Sequence, residues 1–131
     1  MYQLQFADEI AAAIRARDGR YHEQAYLFVL GALEFCQQRR PARGHISGGE
    51  LAWACRDYAL DQFGLTARTV LLHWGVTGTD DLGRIVFTLI ELGLLQAQPQ
   101  DRIEDFETVY EFELAFNDYP WVGVRRADGR S

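Results

Sequence analysis

The chain has 131 residues, a net charge of −6, and 48% hydrophobic and 13% aromatic side chains. That apolar content excludes a disordered composition, and the length suits one domain spanning 1–131 with a substantial core. The acidic balance disfavours non-specific attraction to phosphate backbones or anionic lipid, and no apolar run reaches the ~20 residues of a membrane span.

Residues 4–17 place Leu4, Phe6, Ile10, Ala13 and Ile14 at helical spacing, and Asp18-Gly19 ends that helix. The preceding MYQLQFADEI lacks the basic and apolar stretches of a signal peptide, so a cytoplasmic protein is expected. In YHEQAYLFVLGALEFCQQRR the apolar residues run almost all round, which predicts a central helix contacted from several sides. Arg39 and Arg40 suit its C-terminus and Pro41 stops it, so residues 1–40 form an N-terminal helical pair.

PARGHISGGE is a loop ending in Ser47-Gly48-Gly49-Glu50, an S-x-x-E capping box. The helix LAWACRDYALDQF follows, with Gly64 as its stop. Thr66 is placed to cap a short helix, ARTVLLHW, ended by Gly75. Thr79 is placed to cap a third, in which Leu82, Ile85, Val86, Leu89 and Ile90 form the buried stripe and Gly93 the end. Beyond it the period changes. Residues 94–98 read as a short strand and Pro99-Gln100-Asp101 as a turn. In VYEFELAF, residues 109–116, Tyr110, Phe112, Leu114 and Phe116 alternate with Glu111 and Glu113, which favours a half-buried strand over a short helix. The tail, 117–131, carries Tyr119 and Trp121 as aromatic anchors.

Helix, helix, helix, strand, turn, strand over 47–116, with IVFTLIELGLL leading into the hairpin, resembles the winged-helix superfamily. The expected fold class is mainly α, α+β, with a winged-helix-like core of three helices plus a β-hairpin preceded by two N-terminal helices. The stretches EQAYLFVLGALEF, HISGGELAWACRDYALDQFG, TARTVLLHWGV, TDDLGRIVFTLIELGLL and FETVYEFELAF also resemble an uncharacterised family of small bacterial proteins. That resemblance implies a bacterial origin and a shared fold, and it carries no catalytic residues.

A winged helix that reads DNA needs basic residues on its third helix and wing. Here the exposed helix positions are expected to be Asp80, Asp81, Arg84, Thr88 and Glu91. Residues 101–118 hold Asp101, Glu104, Asp105, Glu107, Glu111, Glu113 and Asp118 against a lone Arg102. Nucleic acid is therefore a disfavoured partner, approachable only through Arg39, Arg40, Arg43, Arg125 and Arg126.

The catalytic inventory is thin. His22, His45 and His73 form no metal-ligand spacing, and Cys36 and Cys55 sit in apolar helical contexts that suit buried thiols. His45 and His73 are weak ligand candidates, and an enzyme or ligand-binding reading would need them to converge with Cys55. No cofactor, metal site or catalytic residue is assigned. The leading reading is a non-catalytic protein-interaction module whose candidate interface is Trp53, Asp101, Glu104, Asp105, Glu107, Tyr119 and Trp121, with another protein or a second copy as partner. The competing structural reading has the acids as a solvated face and Trp53 packed beneath the N-terminal helices.

Overall fold

The computed structural model describes residues 9, 12–16 and 20–117. Residues 12–16 are helical, with Ile14 in the core. Five further α-helices follow: α1 Glu23–Gln38, α2 Gly48–Phe63, α3 Ala67–His73, α4 Thr79–Glu91 and α5 Phe112–Asn117. Single 3₁₀ turns occupy Gly64–Thr66 and Ile103–Phe106.

No strand is present among the described residues, so the expected β-hairpin, and with it the winged-helix core, is overturned. Residues 96–98 are irregular, and Phe112–Asn117 is a helix. The alternation over 109–116 that favours a strand is also compatible with a helix. Phe112 and Phe116, four apart, are buried with their rings 5.2 Å apart, while Leu114 between them is 67% exposed. That is the burial period of a helix, not of a strand.

The helix ends follow local chemistry. Ser47 accepts from the Glu50 amide and Glu50 answers from the Ser47 amide, so the capping box at α2 is complete. Gly64, Gly75 and Gly93 all take positive φ just past helix ends, where a Cβ would strain the backbone. His22 is the N-cap of α1, its Nδ1 accepting from Gln24. Two expected caps differ. Thr66 donates its hydroxyl to the Phe63 carbonyl, and α4 starts after Gly78 with Thr79 already inside the helix.

α1 packs along α2 and α4, as its all-round apolar sequence requires. The α1–α2 crossing is close at Gly31, where an added Cβ would lie 2.6 Å from the Tyr58 hydroxyl oxygen. Phe28 of α1 meets the rings of Tyr58, Phe63 and Trp74 at 5.3, 6.2 and 5.8 Å. α4 lies against α1, α2 and the 103–106 turn, with Thr79, Asp81, Leu82, Gly83, Ile85, Val86 and Leu89 buried. Among the described residues no helix is long and apolar enough to cross a membrane.

Candidate functional site

The segment after α4 is held to that helix by three devices. Phe106 is 3% exposed and enters a slot floored by two glycines. A Cβ on Gly83 would lie 2.8 Å from its Cβ, and a Cβ on Gly48 would lie 3.0 Å from its ring. Buried Thr79 donates its hydroxyl to the Phe106 carbonyl at 2.6 Å and accepts from the Val109 amide at 3.1 Å. The Thr108 amide donates to Asp80 at 3.1 Å. One helical turn thus satisfies three backbone groups of the segment, which would otherwise need a sheet partner or water.

The acidic residues of this segment divide by role. Asp101 closes its own turn, accepting from the Gln98 amide at 2.8 Å, and its other oxygen lies 3.1 Å from His45 Nε2. Asp105 accepts from the Arg102 amide at 3.0 Å. Glu104 and Glu107 are exposed, and neither forms an ion pair among the described residues. Asp80 and Asp81, adjacent in sequence, also divide. Asp80 is exposed, whereas Asp81 is 8% exposed, which corrects the expectation that both face solvent. Asp81 receives the hydroxyl of Tyr21, the amide and hydroxyl of Thr77 at 2.8 and 3.0 Å, and Arg84 at 2.6 Å. Burial alone raises its pKa, but the bonds from Tyr21 and Thr77 and the Arg84 charge outweigh that and hold the carboxyl below its usual range. Its place on the Ile85–Leu89 row, at four-residue spacing, is the sequence signal of this burial.

Between the pinned segment and the helices lies a cleft of about 300 Å³. Leu33, Leu51, Val86, Phe87 and Ile90 supply apolar lining from α1, α2 and α4. Ile46, Leu95 and Phe106 add to it, and His45, Gln96, Gln98, Asp101, Arg102 and Asp105 supply polar lining. His45 and Asp101 bridge the two loops that border the cleft, 43–47 and 96–102, and Arg40 steadies the first by donating to the His45 carbonyl at 2.7 Å. No sequence spacing announces this pair, because its members are 56 residues apart.

No protein-family model matches the chain, and neither does any curated protein or solved structure.

The remaining candidates fall elsewhere. His73 ends α3, with its ring 6.5 Å from that of His22 and outside the lining of the cleft. Cys55 is buried in the core as a free thiol, and burial pushes its pKa far above the ordinary range. His45, His73 and Cys55 therefore occupy three different environments. Trp53 is 43% exposed rather than packed under the N-terminal helices. Its ring lies 4.5 Å from that of Tyr110, whose hydroxyl donates to the Ala52 carbonyl, and the Arg56 guanidinium sits 5.6 Å above it. Tyr119, Trp121, Arg125 and Arg126 lie outside the described residues. Arg39 pairs with Asp57 at 3.2 Å and Arg43 with Glu34 at 3.0 Å, so two arginines considered for nucleic acid already have carboxylate partners.

Proposed function

We propose that the protein is an interaction module that engages a basic partner protein through the acidic segment 101–107, rather than an enzyme or a nucleic-acid reader. The observation that carries this reading is the contrast between a segment fixed to α4 by Phe106 and Thr79 and the exposed, cation-free carboxylates of Glu104 and Glu107 that it presents. Rigid presentation matters because a preordered surface loses less conformational entropy on binding. Carboxylates on such a surface speed encounter with a cationic partner and make the complex sensitive to salt. A role in reading DNA finds little support, because the outer face of α4 exposes Asp80 and Glu91 against Arg84, and the neighbouring segment presents Glu104 and Glu107.

The test is affinity enrichment from the source organism with wild type and the E104R/E107R variant as baits, each at low and high salt. The reading predicts a stoichiometric protein on the wild-type bait, shed at high salt and absent from the variant. Equal capture by both baits, or none by the wild type, overturns it.

A further inference from the structure

We infer that the cleft beside the acidic segment receives one or two aliphatic side chains of the same basic partner, so that the recognised element is a short apolar motif flanked by arginine or lysine. This deepens the interaction reading above and rests on it. Three observations fix the chemistry of the occupant.

The first is size. At about 300 Å³ the cleft lies at the bottom of the range for sites that hold drug-sized ligands, roughly 300–1,000 Å³, which suits side chains better than a large cofactor. The second is the lining, in which Leu33, Val86, Phe87 and Ile90 converge from α1 and α4. Filling such a surface removes apolar area from water, the usual source of binding energy at an interface centre. The third is charge. Asp101, Asp105, Arg102 and His45 belong to the lining, and Glu104 and Glu107, outside it in the same short segment, leave four carboxylates against the one arginine of residues 101–107. Such a border repels an acidic motif and attracts a basic one.

The experiment uses the full chain, ¹⁵N-labelled, titrated with three capped tetrapeptides: Arg-Leu-Leu-Arg, Arg-Ala-Ala-Arg and Glu-Leu-Leu-Glu. The first is expected to shift the amides of Ile46, Gln96 and Gln98 saturably. The alanine peptide should bind at least about tenfold more weakly, from the aliphatic area it lacks. The acidic peptide should give no saturable shift at these amides. Absence of saturable shifts at the cleft with Arg-Leu-Leu-Arg, or an equal response to Arg-Ala-Ala-Arg, overturns the inference. Equal shifts from both arginine peptides at Glu104 and Glu107, with none at Ile46, would remove the cleft while leaving the acidic-surface reading in place. No shift at either region with any peptide would count against both.

Discussion

Gly83→Ala sets two rules against each other. Helix propensity alone predicts a gain, since alanine in a helix interior is favoured over glycine by about 1 kcal/mol. Packing predicts a loss. The added Cβ would lie 2.8 Å from the Cβ of Phe106, well inside the ~3.5–4.0 Å separation of carbon atoms in contact. A Cβ cannot rotate away, so the Phe106 backbone must retreat. That backbone is tied to Thr79 by a 2.6 Å bond from the hydroxyl to its carbonyl, with Val109 bonded to the same hydroxyl at 3.1 Å. Overpacking costs about 1–3 kcal/mol and a strained hydrogen bond about 1 kcal/mol more. After the helix gain is subtracted, a net loss of about 2 kcal/mol remains. For a chain of this size that is a fall in Tm of roughly 5–10 °C. Thermal unfolding followed by circular dichroism measures it, and amide exchange at Val109 should accelerate in the variant. A Tm at or above wild type, with Val109 still protected, would refute the account of how the acidic segment is held.

Three further outcomes follow from the same contacts. Thr79→Val removes the donor to Phe106 and the acceptor for Val109, and should lower unfolding stability in urea by about 1–3 kcal/mol; a change under about 0.5 kcal/mol would contradict the pinning role. Asp81 has a folded-state pKa below the usual 3.8, so the stability it contributes is complete above that value and is lost as pH falls through the folded-state pKa. Asp81→Asn should therefore destabilise at pH 7, with the gap to wild type narrowing as pH drops below about 4; a gap that persists unchanged into that range would show that Asp81 acts through something other than its charge. Cys55, buried with its thiol pushed up, should react with a disulfide reagent at pH 8 only as fast as the protein opens, and labelling as rapid as that of a free thiol would contradict its place in the core.

The parts of the fold that sequence reading reached are those decided locally. Ser47 and Glu50 cap each other across three residues, and Gly64, Gly75 and Gly93 end helices by backbone freedom that no neighbour has to supply. The all-round apolar surface of α1 likewise follows from its own composition. The stretch after Gly93 is not legible locally because its conformation is decided by distant partners. A strand there requires a neighbouring ladder, whereas the backbone groups of Phe106, Thr108 and Val109 are taken up by the side chains of Thr79 and Asp80. The alternation at Tyr110, Phe112, Leu114 and Phe116 could not separate the two cases, since it contains the four-residue spacing that a helix buries. The cleft was only partly legible. His45 stands out in its loop, but its approach to Asp101 is a tertiary event, and the glycines that admit Phe106 look like ordinary interruptions until the ring is in place.

The central claim is that the pinned acidic segment meets a partner in the cell. Photo-crosslinking tests it most directly, with a benzophenone side chain substituted for Ile103, 40% exposed on that segment, and, as a control, for Gln62, an exposed residue of α2. One dominant adduct from position 103, absent from position 62 and not formed when Glu104 and Glu107 are reversed to arginine, is the expected result. No adduct from position 103, or the same adduct from both positions, would contradict the account.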